Sequence, residues 1–84
     1  MKLSILEPKG PIWQGTAKKV HLPAVEGEMC VLDFHQPFVV RLKKGKIVFG
    51  DLSLTGRRES VSIKDGLAVM RSDILTVFTQ AQKE

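Results

Sequence analysis

The stretch from Glu26 to Gly45 reads EGEMCVLDFHQPFVVRLKKG and carries the strongest fold signal in the chain. It opens with two carboxylates around a glycine, and an apolar run from Met29 to Leu32 follows. A polar break at residues 33–37 separates this run from an alternating strand pattern and a Lys-Lys-Gly turn. The acidic and histidine side chains therefore fall in loops, between strands that hold those loops in place.

The segments on either side of this stretch predict more short strands joined by turns. Leu3 and Ile5 lie on one face of a first strand, and Pro23 is expected to end a later one, because proline cannot donate to a ladder. The predicted turns are Pro8–Pro11, Lys43–Gly45, Thr55–Arg58, Lys64–Gly66 and Arg71–Asp73. The Asp-Gly pair at residues 65 and 66 is a strong hairpin signal, because such pairs tolerate the positive φ angles of hairpin turns.

These strands and turns recur at intervals of about 8–12 residues, and no segment shows the stripe of an amphipathic helix. The sequence therefore predicts an all-β protein, a flattened antiparallel β-sandwich or barrel of about ten short strands. We expect Met29–Leu32 to be a largely buried strand and Leu52–Leu54 to be a short one. We also predict a single domain over residues 1–84, with a frayed tail at residues 80–84.

The composition is that of an ordinary soluble domain, with 43 % hydrophobic and 26 % charged residues among 84. No apolar run approaches the ~18 residues that a membrane helix needs, and Met1 leads into a strand pattern rather than a signal peptide. The single cysteine excludes an internal disulfide and fits a reducing compartment. We therefore expect the chain in the cytosol or on the cytosolic side of a membrane.

Catalytic and metal-binding signals are weak. A cysteine–histidine pair such as Cys30 and His35 can make a thiolate nucleophile, but a thiol within an apolar run is more often a small hydrophobic residue. The side chains that could surround a metal are His21, Glu26, Glu28, Asp33 and His35. Their spacing matches no zinc motif, and no glycine-rich phosphate loop is present. We therefore expect no enzymatic activity and no cofactor.

The opening stretch resembles a segment of the ε subunit of F-type ATP synthase, within the N-terminal β-sandwich domain of that subunit. The family typically shows Glu-Gly-Glu, a small residue, an apolar pair, Pro-Gly-His-Ala-Pro, an apolar strand and Lys-Pro-Gly. The positions with matching spacing here are Glu26, Gly27, Glu28, His35, Pro37, Lys43 and Gly45.

This sequence also departs from the family pattern at several positions. Cys30 replaces a glycine, Asp33-Phe34 replaces Pro-Gly, and Gln36 replaces an alanine. The resemblance nevertheless extends from Ile5–Gly15 to Val61–Thr79, which is almost the whole chain. It therefore covers both the first hairpin and the final strands of the family's β-sandwich.

The resemblance implies a mechanical role in rotary ATP synthesis. In the family, the loop that matches Glu26–Glu28 approaches the polar loops of the membrane c-ring, which carry a basic residue. The residues implied in ring contact are Glu7, Glu26, Gly27 and Glu28. The residues implied in contact with the γ subunit are His35, Phe38 and Val40. The chain would thus clamp γ to the c-ring of the proton-transporting synthase, peripherally, on the cytoplasmic side of the cell membrane.

Family members usually continue into a pair of C-terminal helices, and this chain stops where that pair would start. The resemblance therefore implies a chain without the arm that restrains ATP hydrolysis in bacterial relatives. The sequence is compatible with a naturally short chain and with a shortened one.

Each of these contacts also has a simpler interpretation. Glu26 and Glu28 could form a solvated acidic loop, His35 could be structural, and the lysines at 43, 44 and 46 could protect a strand edge from aggregation. The alternative function is a small basic β-barrel that binds nucleic acid, given the formal charge of +4. Such binding needs several stacked aromatic rings, and the sequence has one Trp and four Phe.

Overall fold

The structure is a computed structural model that describes residues 1–50 and 58–81. The described residues form eight strands and no helix. The strands are β1 (Lys2–Glu7), β2 (Gly10–Thr16), β3 (Lys19–Ala24), β4 (Gly27–Leu32), β5 (Phe38–Leu42), β6 (Gly45–Gly50), β7 (Arg58–Arg71) and β8 (Ile74–Ala81). The predicted strand at 52–54 and most of the predicted turn at 55–58 lie outside the described residues.

The strands build two packed layers, which confirms the prediction of an all-β sandwich. One layer has the order β2-β1-β8-β7-β5, and the other contains β4, β3 and β6 beside the first half of β7. Strand β7 belongs to both layers, and the layers also meet where Ala24 of β3 pairs with Leu42 of β5 and where Trp13 packs on Phe49, with ring centroids 4.4 Å apart. In residues 1–50 and 58–81, no helix is long and apolar enough to cross a membrane.

The core lies between the layers and is filled by alternate residues of facing strands. Ile5, Val20, Ile47 and Leu75 are fully buried, and each comes from a different strand. Burying a side chain of this size stabilises the fold by about 1.5–3 kcal/mol relative to leaving it in water. The alternation predicted for Leu3 and Ile5 in β1 is confirmed, since both are buried.

Strand β7 runs without interruption from Arg58 to Arg71, so the prediction of a hairpin turn at Lys64–Gly66 is wrong. Residues 58–63 pair with β6, and residues 66–70 pair with β5, so one strand serves both layers. A register irregularity between Ile63 and Asp65 marks the crossing, which is how strands commonly change sheets. Gly66 is therefore needed for space rather than for a turn, because a Cβ there would lie 2.8 Å from the Phe78 carbonyl oxygen.

Two other turn predictions are corrected by the strand pairing. Residues 43 and 44 do not form a hairpin, because β5 and β6 are not hydrogen-bonded to each other and the connection crosses between the layers. Pro23 does not end β3, which continues to Ala24. The predicted turn at Arg71–Asp73 is confirmed, and Ser72 and Asp73 have φ angles of 51° and 59°, as a two-residue type I′ hairpin requires.

Burial in β4 differs from the expectation of a largely buried strand. Only Val31 is buried among residues 27–32, while Cys30 and Leu32 are exposed. One face of β4 packs on the core and the other faces solvent, so its side chains alternate between the two.

The two ends of the described chain lie side by side. Strand β8 pairs with β7 in antiparallel fashion and with β1 in parallel fashion, so the sandwich is not wholly antiparallel. It also continues through Gln80 to Ala81, beyond the predicted start of a frayed tail, and residues 82–84 lie outside the described residues.

Candidate functional site

The predicted acidic residues lie on the tight hairpin between β3 and β4. Val25 and Glu26 form its two-residue turn, and Gly27 follows with a φ of 138°, a conformation that favours glycine. The hairpin is fixed to the other layer by the Val25 amide, which donates to the Arg41 carbonyl at 2.9 Å. Glu26 and Glu28 are therefore exposed on a rigid support.

These carboxylates border a groove of about 490 Å³ between the hairpin and β5, which we call the acidic groove. Its lining residues are Ala24, Val25, Glu26, Gly27, Glu28, Met29, Val39, Val40 and Arg41. Within the described residues, Glu26 and Glu28 make no ion pair with Arg41 or with any other cation. Both carboxylates are thus available to a basic group of a partner, which would form charge-assisted hydrogen bonds.

Glu7 is not brought to the acidic groove. It lies in β1, next to Leu6, and the cross-strand row from Leu6 runs through Phe78, Leu67 and Arg41. Four strand spacings of about 4.8 Å separate β1 from the β3–β4 hairpin, which is roughly 19 Å along the sheet. Glu7 and the acidic groove could thus both meet one broad partner, but they do not form one site.

His35 lies in the β4–β5 loop, residues 33–37, at the opposite end of β5 from the β5–β6 connection. Its amide donates to the Leu32 carbonyl at 3.3 Å, and its Nδ1 donates to the Gln36 carbonyl at 2.9 Å. The ring meets the Phe38 ring edge-on at 5.2 Å. His35 is exposed, so its Nε2 remains open to a partner while the rest of the residue holds the loop.

The same loop is tied to the β7–β8 turn. The Phe34 amide donates to Asp73 Oδ1 at 2.8 Å. Asp33 and Asp73 both ion-pair with the Met1 amino group, the Asp73 oxygen at 3.8 Å. The loop is thus held from two sides and presents a fixed backbone.

Phe38 and Val40 face the core rather than solvent. Both are half-buried and pack against the core cluster, while Val39 between them is 64 % exposed. Val39 and Arg41 therefore present the outward face of β5, and neither residue is among the predicted contact residues.

Val39 belongs to a larger apolar surface on the outside of the β1-β8-β7-β5 layer, which we call the outer face. Its apolar residues are Leu6, Val39, Leu67, Val69, Ile74 and Phe78. Two ladder rows join them: Val39 pairs with Val69, and Leu67 pairs with Phe78, which is 50 % exposed. Contiguous exposed apolar residues of this kind mark protein–protein interfaces.

Uninterrupted apolar runs in the sequence indicate the outer face, although a search for alternating strands does not reveal it. Residues 38–40, 67–70 and 74–75 are apolar without interruption, so these strands have apolar residues on both sides. A strand with one face in water normally alternates, and continuous apolar runs are typical of strands covered on both faces. The runs are thus the sequence signal of this apolar outer face.

The remaining candidates do not assemble a catalytic centre. Cys30 is the cross-strand partner of His21, not of His35, and both residues are exposed on β3 and β4. In the described part of the chain, no three His, Cys, Asp or Glu side chains group as a metal site requires. Trp13 is half-buried on Phe49, so it is not free to stack on a nucleic-acid base.

The basic residues of the predicted strand edge line a separate cavity of about 380 Å³. Its basic lining residues are His21, Lys43, Lys44, Lys46 and Arg58. In residues 1–50 and 58–81 none of these five forms an ion pair, and Glu28 stands at the boundary between this cavity and the acidic groove.

Comparison with known proteins agrees with this geometry. Residues 1–83 match the family model described as ATP synthase, Delta/Epsilon chain, beta-sandwich domain. The chain belongs to this family. The resemblance drawn from Glu26–Gly45 is thereby confirmed, as is the β-sandwich.

Relatives in this family are named ATP synthase epsilon chains. The chloroplastic protein of Chlamydomonas reinhardtii is 31 % identical over 81 residues, which cover 93 % of this chain and 57 % of the relative. The protein of Helicobacter pylori (strain Shi470) is 35 % identical over 78 residues, covering 89 % and 61 %. The chain thus spans about three-fifths of the length of the relatives it matches.

A solved structure with the same fold is a chain of the Euglena gracilis mitochondrial ATP synthase, determined with OSCP, F1 and the c-ring. The TM-score is 0.80 with 23 % identity, and the match covers 92 % of this chain and 48 % of that one. The likeness shows that the two chains share the same fold.

Proposed function

We propose that this chain is the ε subunit, or the sandwich part of it, in the central stalk of a proton-transporting F-type ATP synthase. It joins the γ subunit to the c-ring so that the three turn together, and its own side chains catalyse nothing and hold no cofactor. Residues 1–84 act as one domain, peripheral to the cytoplasmic side of the membrane. One observation supports the proposal most directly. The acidic groove and the outer face adjoin each other at Val39 and Arg41, within a single sandwich.

The acidic groove suits the c-ring because its free carboxylates match a basic loop. Glu26 and Glu28 flank Gly27, whose open side leaves room for a partner's backbone, since no atom lies within 4 Å of a Cβ placed there. A carboxylate that meets arginine orients the contact more than it adds raw affinity. Glu7 would then touch the same ring about 19 Å away along the sheet, which gives the contact two points of support.

The outer face and the β4–β5 loop suit γ because that contact must hold without slipping. A permanent joint requires a well-packed apolar centre and about 1,000 Å² or more of total buried area. His35 lies at one end of this surface, and Phe38 and Val40 support Val39 from beneath. The γ contact therefore uses Val39 directly, with Phe38 and Val40 acting through packing.

The substitution Glu28→Arg tests the ring contact. The residue is exposed and its side chain makes no described hydrogen bond, so the fold is expected to survive. Removing a charge-assisted contact weakens an interface by about 1.5–3 kcal/mol, roughly 10- to 150-fold in affinity. In vesicles reconstituted with the complete synthase, ATP-driven proton pumping should fall relative to ATP hydrolysis.

The matched control is Glu59→Arg, an exposed acid-to-base change in the first half of β7, which β3 and β6 separate from β4. It should leave the ratio of pumping to hydrolysis unchanged. Unchanged pumping with Glu28→Arg would remove the acidic groove from the coupling role.

A further inference from the structure

Phe34 combines a costly backbone conformation with an exposed aromatic ring. Its φ is 62°, in the left-handed region, and its side chain is 84 % exposed, more than that of any other large hydrophobic residue described. Left-handed backbone brings a Cβ too close to the neighbouring carbonyl, and for a bulky residue it is a true outlier. Glycine, which the family pattern Pro-Gly-His has at this position, adopts the same conformation without that cost.

The surrounding structure enforces this conformation. The Phe34 amide donates to Asp73 Oδ1 at 2.8 Å, and the His35 amide closes the turn onto the Leu32 carbonyl at 3.3 Å. Asp73 is itself fixed in the type I′ turn between β7 and β8. Strained residues persist where their neighbours over-determine them, and such positions concentrate at functional sites.

We propose that Phe34 is an anchor residue that inserts into an apolar pocket of the protein partner that receives the β4–β5 loop. Under the proposed function, on which this inference rests, that partner is γ. A rigid aromatic side chain enters a pocket with little loss of conformational freedom, and buried aromatic anchors carry much of the binding energy of interfaces. The strain and the exposure are then both offset in the complex.

The apolar surface continues away from Phe34. Ile74, 42 % exposed, directly follows the turn that holds the Phe34 amide. It opens a groove of about 320 Å³ on the outer face, whose other lining residues are Val69, Arg71, Ser72, Thr76 and Phe78. A partner that accepts Phe34 can thus extend over this groove, which gives an interface rather than a single contact.

A lipid membrane fits the surroundings of Phe34 less well than a protein pocket does. Peripheral membrane segments combine several apolar residues with a polar face rich in lysine and arginine. Phe34 instead stands between Asp33 and His35, with Asp73 beneath its amide. These neighbours suit a shaped protein pocket.

The test compares four variants in binding to the purified γ subunit, with the melting temperature of each variant measured beside it. Phe34→Asn removes the ring but tolerates left-handed backbone, and Phe34→Gly also removes the strain. Phe34→Leu keeps an apolar side chain. Leu32→Asn removes a nearby apolar residue that is 52 % exposed.

We expect Phe34→Asn and Phe34→Gly to weaken γ binding by about 30-fold or more, while the melting temperature stays level or rises by a few degrees. Phe34→Leu should bind within about tenfold of the wild type, and Leu32→Asn within about threefold. Opposite effects on binding and stability separate an anchor from a residue that merely supports the fold.

Three results would overturn the inference. The first is wild-type affinity in Phe34→Asn and Phe34→Gly. The second is a melting temperature that falls in parallel with binding in both variants. The third is Phe34-dependent binding to vesicles of neutral and anionic phospholipid with none to γ. If the wild-type chain binds neither γ nor the assembled rotor, the proposed function fails as well, so the two failures are distinguishable.

Discussion

The close packing of Gly66 gives the sharpest test of the fold. An alanine Cβ at this position would lie 2.8 Å from the Phe78 carbonyl oxygen and 3.2 Å from Thr79 Oγ1. The first of these atoms is backbone in β8 and cannot rotate away, so the β7–β8 ladder must open locally. Overpacking of this kind costs typically 1–3 kcal/mol. At about 2 kcal/mol, a domain of this size should lose roughly 8–16 °C in melting temperature.

A second substitution distinguishes this packing from the hairpin turn that the sequence predicts. In a turn with positive φ, asparagine is tolerated better than alanine, because its side chain bonds to local backbone. In the observed strand, asparagine adds more atoms to the same crowded position. Gly66→Asn should therefore be at least as destabilising as Gly66→Ala.

Thermal unfolding followed by circular dichroism measures both variants. Ser62→Ala, an exposed change in the same strand, serves as the control and should stay within about 0.5 kcal/mol of the wild type. An unchanged melting temperature for Gly66→Ala, or a more stable Gly66→Asn, would refute the continuous β7 and its contact with β8.

Two further substitutions test the core and the β4–β5 loop. Ile47→Ala empties a fully buried position and should lower the free energy of unfolding in urea by about 2–5 kcal/mol. Lys46→Ala, at the neighbouring exposed position, should lower it by under about 0.5 kcal/mol. Equal effects of the two substitutions would contradict the packing of β6. Asp73→Ala removes the acceptor of the Phe34 amide and puts alanine at a φ of 59°, so it should lower the free energy of unfolding by about 2 kcal/mol. Asp73→Asn should lower it less, because asparagine keeps an acceptor oxygen and tolerates that φ. A reversed order of the Asp73 variants would show that the hydrogen bond does not fix the loop.

Local patterns in the sequence predict most of the fold. Alternation identifies the buried face of β1, and the Glu26–Gly45 stretch identifies both the acidic hairpin and the family. These features depend on residues close together in sequence, where side-chain periodicity and turn chemistry act directly.

Pairing between distant strands explains what local patterns miss. Asp65-Gly66 has the composition of a hairpin turn, but its neighbours on β5 and β8 hold it in an extended strand. Likewise the apolar run from Met29 to Leu32 has one covered face, because one side of β4 packs on the core while Cys30 and Leu32 on the other side are exposed. Which face of an apolar strand is covered is decided by tertiary packing, and β-propensity reflects that context more than local preference.

The candidate contact residues likewise divide into those that local sequence predicts and those that only the folded structure reveals. Charge and the family pattern select Glu26, Glu28 and His35, all of which are exposed. They do not select Val39 or Phe34, because an apolar side chain becomes visible as a contact residue only once its strand or loop is placed against its neighbours. The outward face of β5 and the left-handed turn at Phe34 are properties of the assembled sandwich.

The parallel ladder between β1 and β8 has a consequence for synthesis in the cell. Leu3 and Ile5 align with Leu75 and Val77, about 70 residues later in the chain. A nascent polypeptide emerges at about 5–20 residues per second. The apolar face of β1 is therefore synthesised several seconds before β8, the strand that pairs with it. During that interval the apolar face of β1 stays incompletely covered, and the sandwich can close only after β8 has left the exit tunnel.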